Sequence, residues 1–374
     1  MTDAIIIGGG PAGAVAGMVL AAAGWDVTIV EQHRFPRDKV CGECISDLGL
    51  EVLTRLGMRL RLEKFAPAVL RRVVFYGPGP EKLEIDLSRP MWGLSRSVLD
   101  TELLAAAAEA GAKIVQPGRC EEIEPGSPPR ARIRSLTDNT VTTMYSAVVV
   151  LADGKPPASA RAGPAAPSRL GIKTHVKLDD GPMDRVMLFG VKGHYGGLAA
   201  VEDGKWNLSF SVAAEMARQC RGDIDEVMRQ LAGQNAALAA RWSRARRVGQ
   251  WVASPLYRHA LGDAWPVGVI PVGNAAAAIE PVGGEGMGLA MATAELAAAA
   301  LVKHGPRLDD AALHQLRREM RDLHSWRAIM CRGIAMLLSR PALAEMAVAA
   351  VAANPTLAEA AMRLVKGPAR ADIM

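Results

Sequence analysis

Aromatic side chains are scarce in this chain: 5 Phe, 7 Trp and 4 Tyr make up 4% of its 374 residues. No run of Lys and Arg is interleaved with them, so the phosphate-gripping, base-stacking pattern of a nucleic-acid binder is missing. Cysteine is scarce as well. Cys41, Cys44, Cys120, Cys220 and Cys331 are an odd number with a single C-x-x-C. That excludes a disulfide scaffold and a Cys-rich zinc site, and reads as reduced thiols in a cytoplasmic protein. The seven His fall in no ligand spacing, so no metal is expected. No G-x-S-x-G elbow is present to carry a serine nucleophile. No uninterrupted apolar stretch reaches membrane-spanning length. The short apolar run at the start lacks a basic leader and breaks into glycines, unlike a signal peptide. Internal repeats and low-complexity linkers are missing too, which leaves one large domain or two closely joined ones.

What is abundant is small and apolar. Half the residues are hydrophobic and 37 are glycine. The formal charge is only +5. Much of the excess falls late, at Arg317, Arg318, Arg321, Arg327, Arg332 and Arg340. Those positions read as a solvated helix face, or as a docking surface for an acidic carrier protein or an anionic membrane.

The most informative stretch is the first. Asp3-Ala4-Ile5-Ile6-Ile7 reads as a buried strand. It runs into Gly8-Gly9-Gly10-Pro11-Ala12-Gly13 and then an Ala-rich helix to Ala23. A second strand over 26–30 ends in Glu31. A G-x-G-x-x-G turn between strand and helix, with an acid about 20 residues on, is a dinucleotide-binding arrangement. Gly8 permits the tight turn, Gly10 lets a pyrophosphate approach the backbone, and Gly13 lets helix and strand pack closely. The helix N-terminus offers free N–H groups to the phosphates. Glu31 suits a ribose 2′-hydroxyl better than a 2′-phosphate, which favours FAD or NAD over NADP.

Further along, a helix is expected from Asp47 to Leu56, a hairpin over 71–76 and 82–87, and a helix from Ser95-Arg96 through Ala110. Strands are expected near 113–115, 131–136 and 141–145, and from Val148 to Asp153-Gly154. From about 168 to 257 the texture changes to antiparallel strands (172–178, 186–191, 197–200 and 206–212), followed by a helix over 224–239. The α/β texture returns at Val267. Gly273-Asn274 ends a strand, a Gly-rich loop covers 281–288, and an Ala-rich helix runs from Met287 to Lys303. Two or three helices are expected beyond Asp309.

Four elements in this order carry a resemblance. They are the glycine motif ending at Glu31, Ser95-Arg96 before a helix, Ala152-Asp153-Gly154, and Gly273-Asn274 followed by Pro281–Gly288. Over residues 1–300 the chain resembles FAD-dependent oxidoreductases of the para-hydroxybenzoate hydroxylase fold. Lys39-Val40-Cys41-Gly42-Glu43 and Glu280–Gly286 most resemble the geranylgeranyl reductase-like branch. The implied architecture is α/β, a Rossmann-like FAD-binding domain with an inserted antiparallel-sheet substrate domain and a C-terminal helical segment. FAD-binding parts would span 1–70, 94–167 and 261–308, substrate-domain parts 71–93 and 168–260, and C-terminal helices 309–374.

The resemblance implies FAD as cofactor, with NAD(P)H as transient reductant. Gly8, Gly10, Pro11, Ala12 and Gly13 would hold the pyrophosphate, and Glu31, with Gln32 beside it, the adenosine ribose. Lys39 and Arg96 would stand against the phosphate or ribityl portion, and Asp153-Gly154 beside the cofactor. The Gly286-Met287 backbone would face the flavin pyrimidine. Asn274 replaces the family's usual Asp, exchanging a charged ribityl contact for a neutral one. Cys41 would line the flavin site, with Cys44 as buried filler. No second G-x-G-x-x-G exists, which argues against a disulfide reductase despite Cys41-x-x-Cys44. On the substrate side, His194 and Tyr195 could hydrogen-bond a phenol or carbonyl, with Met187, Trp206 and Trp251 as an apolar wall. The expected reaction is oxygen transfer from a flavin C4a-peroxide to an aromatic or lipid-like small molecule of secondary metabolism. The alternatives are reduction of isoprenoid-type C=C bonds, an accessory flavoprotein role and, lacking the W-x-W-x-I signature, remotely halogenation.

Overall fold

The computed structural model describes residues 1–79, 82–155, 168–179 and 181–346. In chain order its strands are β1 (Thr2–Ile7), β2 (Val27–Val30), β3 (Cys44–Ile45), β4 (Ala68–Tyr76), β5 (Lys82–Gly93), β6 (Lys113–Val115), β7 (Gly118–Glu124), β8 (Arg130–Ser135), β9 (Val141–Leu151), β10 (Arg169–Lys177), β11 (Arg185–Val191), β12 (His194–Ala200), β13 (Trp206–Ala213), β14 (Arg246–Arg247), β15 (Val252–Pro255) and β16 (Val269–Pro271). The helices are α1 (Pro11–Ala22), α2 (Asp47–Arg55), α3 (Arg59–Glu63), α4 (Arg96–Glu109), α5 (Ala214–Gln219), α6 (Ile224–Ala232), α7 (Ala236–Trp242), α8 (Gly286–His304) and α9 (Asp310–Leu338).

Two sheets organise these elements. The first runs β6-β2-β1-β9-β8-β7, with β16 also on β9. Its centre is parallel, pairing Ala4 with Val27 on one side and Val148 on the other. Strands buried on both faces read as continuous apolar runs, which is why the Ile5-Ile6-Ile7 stretch stands out. Helix α1 has Pro11 in its first turn, where the missing N–H costs nothing. Ten of its twelve residues are buried, because it packs between α4 and α8.

The second sheet runs β14-β10-β13-β12-β11-β4-β5-β3, with β15 on β10. It is antiparallel except where β4 and β11 run parallel. Its pieces come from 44–45, 68–93, 169–213 and 246–255, so the second sheet also draws β3 and the start of β4 from the segment 1–70. Helix α9 crosses it. Ala312, Leu316, Met320, Leu323, Cys331, Ala335 and Leu338 form the buried stripe of α9 at helical spacing, packed on α8, β11 and β12.

The departures from the sequence reading have local causes. Strand β7 was not expected, because its charged residues outnumber its apolar ones. The strands expected at 141–145 and from Val148 are one strand, which changes partners from β8 to β1 midway. The helix expected over 224–239 is two. Asn235 breaks it by accepting the Leu238 N–H at 3.0 Å and so starting α7. Of the two or three helices expected beyond Asp309, the tail shows the 29-residue α9 and a second helical run over 341–346. Its last part, 347–374, and the hairpin position Pro80 lie outside the described residues. Helix α8 is long and apolar enough to cross a membrane by length and composition, contrary to expectation, but more than half of it is buried inside the protein.

Candidate functional site

A cavity of about 600 Å³ opens at the carboxyl ends of the first sheet's parallel strands, the usual place for a nucleotide in such a sheet. Its wall includes Gly8, Gly10, Pro11, Ala12, Glu31, Gln32, Lys39, Cys41, Arg96, Asp153, Gly154, Asn274, Gly286 and Met287. Thus of the residues expected to touch the cofactor, only Gly13 is off the wall. It lies one layer behind, where a Cβ would stand 1.8 Å from the Gly8 carbonyl oxygen. Gly8 has φ +104°, and its own Cβ would meet the Ala152 carbonyl at 2.5 Å. Gly10 differs: a Cβ there would have only Arg96 Nη2 within reach, at 3.6 Å. Two glycines therefore close the turn, and the third leaves room beside it for another molecule.

Glu31 is buried and serves the turn directly. Its Oε2 accepts the Gly9 N–H and its Oε1 the His33 N–H, both at 2.8 Å. Each carboxylate oxygen keeps a further lone pair, which leaves it able to accept from a ribose hydroxyl.

The phosphate side is cationic. Arg96 is held by Asp100 through two hydrogen bonds of 2.7 Å, and Arg37 reaches the same carboxylate at 3.3 Å. Arg37 Nε and Nη1 are buried without a partner among the described residues. Lys39 is pushed down to about 8 by burial and by the nearby Arg96 and Arg37. An ammonium and two guanidinium donors without a partner among the described residues, next to a glycine turn with open space, fit a diphosphate. Asn274 is exposed on the opposite wall, and Gly286 opens α8 with its N–H groups toward the cavity.

A compartment of about 100 Å³ adjoins this cavity and shares Val40, Cys41, Gly42, Cys44, Leu256, Pro281 and Gly284 with it. Tyr195 lines it. The Tyr195 hydroxyl donates to buried Glu280, which Arg258 holds at 2.8 Å. Burial and the Glu280 charge push the phenol far above its ordinary value. His194 does not join it. Neighbours on a strand point to opposite faces, and His194 turns away to accept the Ala213 N–H at 3.1 Å. Met187 and Trp206 are fully buried core, and Trp251 binds Asp225 at 3.0 Å; none lines these cavities. Cys44 is buried with its thiol raised by desolvation, and both Cys41 and Cys44 are free.

A third cavity, about 520 Å³, lies between α9 and the second sheet. Val73, Phe75, Leu188, Leu323, Met330 and Ile334 give it an apolar wall, Asp86, Arg89, Glu319 and Asp322 line it as well, and it meets the first cavity at Cys44 and Gly284. At that end stands Glu285, paired with Arg327 at 3.1 Å and raised by burial.

Sequence reasoning missed the charges behind the Cys41 loop. Glu43, Lys173 and His175 are buried together against Asp38. The available signal was Lys173 and His175, two residues apart in a stretch that otherwise reads as a buried strand.

Fold and site together define a flavin-dependent oxidoreductase. The family pattern described as "FAD binding domain" matches residues 1–330, and the chain belongs to that family. It is 26% identical over 396 residues to a protein named menaquinone reductase from Mycolicibacterium smegmatis, covering 97% of this chain and 91% of that one. Over 113 residues it is 34% identical to digeranylgeranylglycerophospholipid reductase 2 of Methanopyrus kandleri, covering 30% of this chain and 27% of that one. The structure of the flavin-dependent brominase Bmp2 superposes with a TM-score of 0.79 at 20% identity, covering 98% and 93% of the two chains, which shows the shared fold.

Proposed function

We propose that the protein reduces C=C bonds in a long-chain, isoprenoid-type lipid, using FAD charged by NAD(P)H. The carrying observation is the 520 Å³ cavity, apolar along one wall, that joins the cofactor cavity at Cys44 and Gly284. A flexible hydrocarbon chain can lie along that apolar wall. The full-length similarity to a protein named menaquinone reductase supports the same class of substrate. FAD, when bound, supplies the two-electron chemistry. The chain's residues exclude water along the slot and hold a proton near the reacting carbon. Cys41, on the walls of both the cofactor cavity and the small compartment, is placed to hold that proton on Sγ. Tyr195, kept neutral by burial and by Glu280, donates its hydrogen bond to Glu280 and can accept one from a substrate hydroxyl.

The test is anaerobic incubation of FAD-loaded protein with NAD(P)H and a digeranylgeranylglycerol phospholipid, read by mass spectrometry. Products heavier by two hydrogens per bond support the reading, and unchanged lipid overturns it. Oxygen transfer to an aromatic ring is the second reading, favoured by the ring-sized compartment beside Tyr195. It requires substrate-dependent oxygen uptake, which the reductase does not show.

A further inference from the structure

We propose that Glu43 is the positioning residue of the flavin-site loop, with Lys173 as its obligatory charge partner. Glu43 has φ +57°, a left-handed backbone where glycine is the ordinary choice. Its side chain explains the exception. Oε1 accepts the Arg96 N–H at 2.8 Å and the Lys173 ammonium at 2.5 Å. Oε2 meets His175 Nε2 at 2.6 Å. The Glu43 carbonyl accepts the Leu94 N–H at 3.0 Å, and its N–H donates to Cys41 Sγ at 3.3 Å. One residue therefore ties three parts of the molecule together: the cysteine loop, the first turn of α4 that carries Arg96, and strand β10 of the second sheet.

Strand β10 is shaped for this contact. Residues 171, 173 and 175 share a face, and Gly171 has no Cβ where one would collide with Val40 at 2.4 Å. Lys173 is fully buried and bridges Glu43 to Asp38, 2.9 Å away. Burial works against both charges, and Glu43 is nevertheless held below its ordinary range by His175 and Lys173. Removing the ammonium leaves a buried carboxylate without its cationic partner, which is strongly unfavourable. The titratable groups around His175 are Asp38 and Glu43 on the loop and Lys173 on its own strand, with Lys205 acting on Asp38 from the turn before β13. Asn207 and Ser209, opposite on β13, are neutral.

The consequence is measurable without any substrate. The rate of iodoacetamide alkylation of Cys41, mapped by peptide mass in the FAD-loaded protein, reports how firmly the loop is held. A merely conformational role for Glu43 makes Glu43→Gly harmless, since glycine suits that backbone. The proposal predicts instead that Glu43→Gly alkylates about tenfold faster, as expected when a loop opens more often. Lys173→Met, which leaves the buried Glu43 carboxylate without its ammonium, alkylates about tenfold faster as well. The double variant Glu43→Gln, Lys173→Met removes both charges and returns the rate toward wild type. Wild-type rates in Glu43→Gly, or a double variant that alkylates as fast as Lys173→Met alone, overturn the proposal. These rates are also readable if the protein binds no flavin, so failure of the cofactor reading is a separate outcome.

Discussion

The walls of the cofactor cavity and of the apolar slot beneath α9 are built in opposite ways. The first takes its distinctive wall from glycine turns, with Gly8 and Gly10, Gly154, and Gly284 and Gly286, each turn contiguous in sequence. The second is side chain. Val73, Leu188, Leu323 and Ile334 come from β4, β11 and α9, more than 250 residues apart. A pyrophosphate is recognised by N–H groups and close approach, which demand particular residues at fixed spacing. A hydrocarbon chain is recognised by volume, which many residues can supply. The specialised surface is therefore written locally, and the permissive one is distributed.

Breaking each wall should have a different signature. The largest effect is expected at Gly13→Ala, whose methyl would stand 1.8 Å from the Gly8 carbonyl. Overpacking against backbone should cost about 3 kcal/mol, seen as an early urea midpoint and lost flavin together. Gly10→Val should separate those effects: the apo melting temperature stays near wild type, while the purified protein is colourless. Flavin bound to that variant would mean the cofactor lies elsewhere.

On the other wall, Ile334→Trp fills the slot. It should leave FAD content unchanged while raising KM for a long-chain lipid about tenfold, roughly 1.4 kcal/mol of lost binding. A matching loss of FAD would show that the two cavities are not independent.

Smaller effects sharpen the electrostatics. Lys39 has a value of about 8 in the folded apoprotein against 10.5 ordinarily. Between those pH values the unfolded chain carries the additional proton, so apoprotein stability should rise with pH across that window. Bound diphosphate favours the charged amine, so FAD affinity should fall as pH passes about 8. Lys39→Met should remove both trends, as measured by thermal melts and flavin titration. The smallest change is expected from Asn274→Asp, which restores a charged acceptor at an exposed position and should leave FAD bound as tightly or slightly more so.

The same contrast explains what could be read from the chain. The β1–turn–α1 unit, Glu31 and the loop at 281–288 were legible because each demands a residue type at a set distance. Tyr195 and His194 could not be separated from sequence, because the strand phase that sends one inward and the other outward depends on pairing with β11 and β13. The Glu43–Lys173 contact spans 130 residues and joins a loop to a strand of the second sheet, so no local pattern announces it. Helix α9 was recognised as helical, but its role as the roof of a cavity follows from where it lands.

The account turns on the slot and the cofactor cavity serving one reaction. The most direct measurement is anaerobic stopped-flow of the photoreduced, FAD-loaded protein mixed with a digeranylgeranylglycerol phospholipid. That lipid has no quinone to oxidise the flavin by itself. The account predicts return of the oxidised flavin spectrum without oxygen, in step with lipid that has gained two hydrogens. Flavin that stays reduced with the lipid, and reoxidises only when oxygen is admitted, would contradict it.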